Sequence, residues 1–350
     1  MDVSREKDYV RPVDFKHGKV ELSHGSGGKA MAQLIDQLFL RVFDNPWLRE
    51  LNDQARLDVP PGRLALATDS HVVTPLFFPG GDIGSLAVHG TLNDVAMSGA
   101  RPLFLSAAFI IEEGFALADL RRVAESMADA SRAAAVPVVT GDTKVVERGK
   151  GDGLFVTTTA IGVIPEGVDI AAEKACPGDR ILVSGTVGDH GVAVMSHRES
   201  LGFATALESD SCALHGLVAA VVEVAPGVHS LRDPTRGGLA SALNEIAVKS
   251  DTGMLIREAD IPVRPEVEAA CELLGLDPLY VACEGRVLVI CAREDSPAVL
   301  GAMKAHPLGH GAADIGEVRA DAQHFVEMET VIGGRRMVDW LSGEQLPRIC

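Results

Sequence analysis

The chain ends on a cysteine. Cys350 follows Pro347-Arg348-Ile349, and because chain ends are rarely tied down, a thiol there could visit another protein's site and return to its own. From Gly343 onward an extended run reaches about 23–25 Å at ~3.3 Å per residue. Upstream, the stretch from Thr330 to Leu341 reads as a short ordered element that Gly343 and Pro347 break. The α-carboxylate beside the thiol opposes thiolate formation and Arg348 partly offsets it, so activation is expected from a surrounding protein site. Taken alone, a terminal cysteine is more often an incidental chain end than a covalent carrier.

Several carboxylates stand out against an otherwise apolar background. Asp69 follows the apolar run Leu64-Ala65-Leu66-Ala67-Thr68, and Asp94 sits in Asn93-Asp94 inside a stretch, Gly80 to Ala100, that is rich in small and apolar residues. That stretch reads as a buried helix with Asp82 as its N-cap, where a carboxylate is costly unless paired or bound to a cation. Asp142, in Gly141-Asp142-Thr143-Lys144, is expected just past a strand's C-terminal end, a usual place for ligands in sheet proteins, or in an ordinary turn. If Asp69, Asp94 and Asp142 converge, they suit Mg²⁺, which takes a few carboxylate oxygens and fills its shell with water and phosphate. Asp233, in Asp233-Pro234-Thr235-Arg236-Gly237-Gly238, is either a fourth ligand or an N-cap ahead of a proline. Glu284, at the start of a strand, is either a general base or a solvated side chain.

These groups need elements to hold them. Gly25-Ser26-Gly27-Gly28 precedes a helical pattern with Met31, Leu34, Ile35, Leu38, Phe39 and Val42 on one face; the glycines would let backbone N–H groups approach an anion, although the spacing to Lys29 is not that of a P-loop. Strands are expected at Leu64 to Thr68, Leu103 to Ile111, Val136 to Thr140 and Leu154 to Val163, with a helix from Leu117 to Ala135. The Pro- and Gly-rich stretch 165–178 reads as a linker between a first domain, 21–164, and a second, 179–330. In the second, strands from Arg180 to Ser184 and Val287 to Cys291 accompany helices from Ser209 to Val224, Leu239 to Lys249 and Pro265 to Leu274. Residues 1–20 form a polar lead and 331–350 the tail. The two halves share a strand-then-Gly-Asp rhythm. His24, His89 and His190 read as polar groups of loops and helices, not as ligands.

Composition narrows the possibilities. Of 350 residues 47% are hydrophobic and only 4% aromatic, so the core is built from Ala, Val, Leu and Ile, as in α/β and α+β enzymes. A net charge of −17 argues against nucleic acid as a partner, and any anionic ligand must be held by local devices against the overall field. Cys176, Cys212, Cys271, Cys283, Cys291 and Cys350 show no metal-ligand spacing and read as reduced thiols. No stretch approaches a membrane span or a signal sequence, so the compartment expected is the cytoplasm.

Together, Gly25-Ser26-Gly27-Gly28, Thr68-Asp69-Ser70, Asn93-Asp94, Gly141-Asp142-Thr143-Lys144 and Asp233 to Gly238 resemble the ATP-binding layout of the aminoimidazole ribonucleotide synthetase-like (PurM-like) superfamily. Phe77 to Gly84, Gly188-Asp189-His190-Gly191 and above all Pro347-Arg348-Ile349-Cys350 narrow the likeness to the carbamoyl dehydratases of [NiFe] hydrogenase maturation, over about Leu22 to Cys350. The resemblance implies a two-domain PurM-like α+β / α/β architecture, a homodimer paired through the first-domain sheets, and a mobile tail. It implies ATP and Mg²⁺ as cofactors, with Gly25, Ser26, Gly27, Gly28, Asp69, Asn93, Asp94 and Asp142 at the nucleotide and Asp69, Asp94 and Asp233 on the metal. Cys350 would receive a carbamoyl group from the carbamoyltransferase HypF. Lys144 and Glu284 would assist its ATP-driven dehydration to a thiocyanate, and the cyano group would pass to the HypC–HypD iron scaffold. Where the family carries Asn-Glu-Gly, this chain has Cys283-Glu284-Gly285, which puts the orientation of Glu284 in question. Two other readings stay open: another ATP-dependent phosphorylation or cyclisation of the same superfamily, and a non-catalytic assembly module.

Overall fold

The computed structural model describes residues 12–199, 207–341, 343, 348 and 349. Strand β4 (Leu154–Ile164) shows most directly how the first domain is built: its residues alternate strictly, Leu154, Val156, Thr158 and Ala160 pointing into the core, the period-two signature of a sheet covered on one face. It pairs antiparallel with β1 (Arg63–His71) and β2 (Arg101–Glu112), and β2 pairs parallel with β3 (Val138–Val146), giving the order β1-β4-β2-β3. On the inner face lie helix α1 (Ile83–Ala96) and helix α2 (Leu117–Ala133).

The packing of α1 explains its composition. A Cβ on Gly84 would lie 2.4 Å from the Val123 carbonyl of α2, one on Gly90 2.9 Å from His71 of β1, and on the facing strand one at Gly162 would lie 2.6 Å from Val95. The helix is squeezed between sheet and α2, so it is buried almost all round rather than amphipathic. Thr158 meets it from β4, its hydroxyl 2.6 Å from that of Thr91 and donating to the Ala87 carbonyl at 2.8 Å. As expected, Asp82 caps the helix, accepting from the N–H groups of Gly84 (2.7 Å) and Ser85 (3.2 Å).

The second domain carries a seven-stranded sheet. In chain order its strands are β5 (Arg180–Val183), β6 (Ser230–Arg232), β7 (Gly253–Arg257), β8 (Leu288–Cys291), β9 (Ala313–Arg319), β10 (Val326–Glu329) and β11 (Arg335–Met337), arranged β11-β10-β7-β9-β5-β8-β6. Helix α4 (Gly238–Ser250) buries against it, whereas α3 (Asp189–Arg198) packs Val192 against Val267, Ala270 and Cys271 and sends Val194 into the first-domain core. No helix among the described residues is long and apolar enough to cross a membrane.

Three sequence expectations are corrected. β1 runs on through Asp69 to His71 and β3 through Asp142 to Val146, so both aspartates lie within strands and not past them. Both strands are sheet edges, where polar side chains carry little desolvation cost and apolar patterning stops marking the strand's extent. Asp233 does not cap a helix either: Gly237, with φ 74°, is the N-cap of α4, and Asp233 stands upstream in the loop. Lastly, the helix expected from Ser209 begins only at His215.

The Asp82 cap makes a direct test of the α1 packing. Asp82→Ala should lower unfolding stability by about 1 kcal/mol, read as a shift in urea midpoint with an unchanged slope.

Candidate active site

The acidic residues gather where the inner face of β1, the last turns of α1 and the second domain meet. Asp69 shares the inner face of β1 with His71, two residues on. Its Oδ1 accepts from the Ser70 N–H at 2.8 Å and from Arg236 at 3.2 Å, and its Oδ2 lies 3.4 Å from His71 Nε2. Burial holds the His71 imidazole below its usual pKa, with the Asp69 carboxylate opposing. Gly90 gives this ring its room, and Asp94, one helical turn further, projects from the same face.

Asp94 opens to the cleft between the domains, yet the protein around it pushes its carboxyl up to about 7, with the Asp233 and Asp69 carboxylates adding to the shift. Asp233 is buried and is likewise raised, by burial first. These carboxylates share one field, but among the described residues they do not draw their oxygens within 4.8 Å of one another; the one such group of three is Cys176, Asp179 and His229, outside the cleft.

Glu284 lies at the centre of that field. Only 3% exposed, it leaves its Oε1 without a hydrogen-bond partner among the described residues. Burial raises its carboxyl far above the ordinary range, and Asp233, Asp210, Asp69 and Asp94 add to the shift in that order. Burial and the neighbouring carboxylates thus both favour the protonated form of Glu284. Its orientation comes from its backbone: the N–H donates to Asp210 Oδ1 at 3.0 Å and the carbonyl accepts from Asn93 Nδ2 at 3.3 Å. Cys283 turns the other way, fully buried, its sulfur accepting from the Gly188 N–H at 3.1 Å. The next residue must be glycine, since a Cβ on Gly285 would fall 1.7 Å from the Asp210 carbonyl oxygen.

Asn93, expected at the nucleotide, is 1% exposed. Its amide donates to the carbonyls of Cys212 (3.0 Å) and Glu284 and accepts from the Leu214 N–H (2.8 Å). It is a strut between α1 and the second domain and has no face left for a ligand.

The remaining predicted residues form a second group. Asp142 and Lys144 pair with each other at 3.2 Å on the solvent-facing side of β3. The glycine-rich loop abuts them, for a Cβ on Gly25 would lie 2.6 Å from the Val145 nitrogen. Gly27 takes φ 77°, a left-handed conformation that glycine adopts at no cost, and Ser26 bonds the Ser23 carbonyl at 3.1 Å. The register aligns Asp69 with Thr158, Ala107 and Gly141 across the sheet. The two groups are therefore three strand spacings apart, roughly 14 Å, and Asp142 and Lys144 point to the face opposite Asp69.

Cys350 lies outside the described residues, as does Pro347, but Arg348 and Ile349 are docked. The Arg348 carbonyl accepts from the Thr74 N–H at 3.1 Å and its guanidinium pairs with Asp152. Ile349 is 5% exposed in the first-domain core, whose buried members include Val194 and Ala282 of the second domain. Its carbonyl lies 2.6 Å from His190 Nε2. Because a carbonyl only accepts, Nε2 carries the proton and Nδ1 accepts from the Ser209 hydroxyl at 2.8 Å; Phe78 meets the ring edge-on at 5.6 Å.

Several of these residues escaped the sequence reading. Asp210, Ser209, Thr74, Asp152 and His71 belong to no motif, while Arg236 stands in the Asp233 to Gly238 motif without an expected role of its own. His190 was set aside as a helix polar group although it stands in Gly188-Asp189-His190-Gly191, the one signal that could have found it.

The raised Asp94 carboxyl has a sign that can be checked. Between its ordinary value of 3.8 and about 7 the folded chain holds a proton that the unfolded chain has lost, so its contribution to stability falls as pH rises through that window. Asp94→Asn should therefore raise the unfolding temperature at pH 8 and leave it unchanged near pH 4, as followed by circular dichroism.

Comparison with known proteins agrees with this geometry. The family model for the AIR synthase related protein N-terminal domain matches residues 51–164, and that for its C-terminal domain matches 176–329. The chain is 64% identical to carbamoyl dehydratase HypE of Cupriavidus necator over 98% of both chains. It is 48% identical to HypE of Escherichia coli over 95% of this chain and 99% of that one. The crystal structure of hydrogenase maturation protein HypE in complex with ATP superposes with a TM-score of 0.91 at 50% identity, covering 94% of this chain and 99% of that one. HypE in a HypE–HypF complex superposes with a TM-score of 0.78 at 48% identity, covering 88% and 99%. The chain thus has the two-domain architecture of AIR synthase-related proteins and belongs to the HypE family of carbamoyl dehydratases of hydrogenase maturation.

Proposed function

We propose that the chain dehydrates an S-carbamoyl group on Cys350 to a thiocyanate at the expense of ATP, supplying cyanide ligands for a hydrogenase iron. The observation that supports this most is the docking of Arg348 and Ile349 at the junction of the domains, where the Ile349 carbonyl meets His190 and its side chain shares a core cluster with Ala282, two residues before Glu284. A small-molecule kinase has no use for such a tail.

In this reading the tail alternates between HypF, which loads the carbamoyl group, and its own cleft. The thiocarbamate oxygen takes the γ-phosphoryl group, releasing ADP and one of the two nitrogen protons, and phosphate then departs as the nitrogen loses the second, leaving the thiocyanate. Glu284 is the acceptor of that proton. Its burial makes it a strong base once ionised, and neutralising Asp69, Asp94 and Asp233 removes the repulsions that add to that burial in raising it. Mg²⁺ fits those three: they are hard oxygen donors, their oxygens spread widely enough that water and phosphate complete the shell. When bound, it offsets the charge of the phosphates. Gly25 to Gly28, Asp142 and Lys144 receive the phosphates, where the ammonium stabilises developing charge. The cyano group then passes to the HypC–HypD scaffold, in the cytoplasm.

Because Asp142 and Lys144 face away from Asp69, the site is completed by a homodimer that closes over the outer sheet face. That face exposes Leu64, Leu66 and Ile110 beside a ladder of hydroxyl pairs, Thr68 with Thr159 and Ser70 with Thr157, each at 2.8 Å. Exposed apolar area of this kind marks an interaction surface. Domain limits of 21–164 and 179–330, with 331–350 as the tail, follow from the same reading.

Intact-protein mass spectrometry tests the carrier. With HypF and carbamoyl phosphate the chain should gain about 43 Da, falling to about 25 Da on adding Mg·ATP, as expected for covalent catalysis at a thiol; Cys350→Ala should show neither. His190→Ala should accept the carbamoyl group but dehydrate it at least about tenfold more slowly, roughly the loss of one buried hydrogen bond. His190→Gln, which keeps a donor, should restore most of the rate. For the dimer, Leu66→Arg should sediment as a monomer with intact circular dichroism and lose ATP-dependent dehydration.

A further inference from the structure

Cys176 and Asp179 stand at the two ends of a tight turn, Cys176-Pro177-Gly178-Asp179, that leads into β5. Pro177 presets the first bend, and Gly178, with φ 100°, takes a left-handed conformation that favours glycine. The Asp179 N–H closes the turn on the Cys176 carbonyl at 3.1 Å. Two more bonds clamp it to β9, Gly178 donating to the Val318 carbonyl at 2.8 Å and Val318 to that of Asp179 at 2.9 Å. Asp179 is only 4% exposed, and its Oδ2 accepts from the Cys176 N–H and from His229 Nδ1, each at 2.7 Å.

His229 comes to this turn from 50 residues along the chain, at the approach to β6. Its backbone is fixed as well: the N–H donates to the Ile290 carbonyl of β8 and the carbonyl accepts from the Ala171 N–H, both at 3.0 Å. The imidazole is 30% exposed. The Cys176 thiol is exposed too and donates to the Lys174 carbonyl at 3.2 Å. One ligand atom from each of the three residues lies within 4.8 Å of the other two. Three donors on clamped backbone, open to solvent on one side, have the rigidity that a metal site needs.

The donor set selects the ion. A sulfur, an imidazole nitrogen and a carboxylate oxygen suit a borderline cation that accepts four tetrahedral ligands, as Zn²⁺ does, whereas Mg²⁺ and Ca²⁺ ask for oxygen throughout. Thiolate and carboxylate together supply two negative charges, which balance those of the ion.

We propose that Cys176, Asp179 and His229 bind one zinc-class divalent cation, with water in the fourth position, at a site separate from the acidic cleft. On binding, the Cys176 thiol loses its proton to solvent. The proton that His229 Nδ1 shares with Asp179 gives way to the ion, and the neutral imidazole keeps its one proton on Nε2. The ion joins the end of the stretch between the domains to the second-domain sheet beside β6. Sequence spacing conceals such a site, because its third ligand lies far along the chain.

Co²⁺ reports on the site, since a thiolate ligand gives it a sulfur-to-metal charge-transfer band. Titrated into the full reduced chain with Mg²⁺ in excess to compete at all-oxygen ligands, Co²⁺ should bind with that band, and Zn²⁺ should displace it. Cys176→Ser, a change at an exposed residue, should keep the wild-type circular dichroism and lose the band. Cys350→Ala should retain it. His229→Ala should weaken Co²⁺ at least about a hundredfold, the most that loss of an outer partner alone costs. A wild-type chain without the sulfur band, a band that survives Cys176→Ser, or an unchanged affinity in His229→Ala overturns the inference and leaves Asp179 and His229 as an ion pair that secures the turn.

Discussion

A buried carboxyl group, one of whose oxygens has no hydrogen-bond partner among the described residues, is the constraint on which the rest of this structure depends. Glu284 presents a bare oxygen to a cleft already lined by Asp69, Asp94 and Asp233, and a group in that position is tolerated only if something else holds the backbone on either side of it. The holding is done from two directions, by Asp210 at the Glu284 N–H and by Asn93 at the carbonyl. Asn93 belongs to the first domain and Glu284 to the second, so the bonds that aim the carboxyl also lock the domains together.

The segment around Asp210 is the keystone of that lock. Within a few residues Ser209 bonds the Pro79 carbonyl and His190, Ser211 meets His89, Cys212 accepts from Asn93 and Leu214 donates to it. Backbone comes so close here that two glycines are obligatory, Gly285 under the Asp210 carbonyl and Gly80 against Ser209, where a Cβ would lie 2.7 Å from the nitrogen. Close approach leaves little room for the site to relax, which is what a preorganised field needs if its charges are to be worth more in the cleft than in water.

The tail uses the same lock. Ile349 packs into the first-domain core while its carbonyl meets His190 of the second, so the chain's end is gripped by the two bodies that frame the cleft. Among the described residues the grip is one side chain, two backbone hydrogen bonds and the Arg348–Asp152 ion pair at the surface, which contributes little. An attachment of that size suits the carrier role proposed above.

Much of this was legible in the residues. Burial of α1 follows from its small and apolar composition, its start from Asp82, and the sheet from the alternation of β4; the carboxylates that gather in the cleft, and the terminal thiol, stand out because charge and nucleophile are costly or purposeless where they occur. Local chemistry carries that information, since each signal lies within a few neighbouring residues. What the sequence did not disclose is which of these groups meet. Asp69 and Asp142 read alike, yet the parity of a strand and three strand spacings put them on opposite faces of one sheet. Asn93 reads as a ligand beside Asp94, yet a helix turns adjacent residues about 100° apart and buries one while opening the other. His190 stands in a short motif and Asp210 in none, and neither role is legible locally, because the roles are contacts with residues 159 and 74 positions away. Such contacts arise from the docking of two domains, a property of the folded surfaces and not of any stretch of chain.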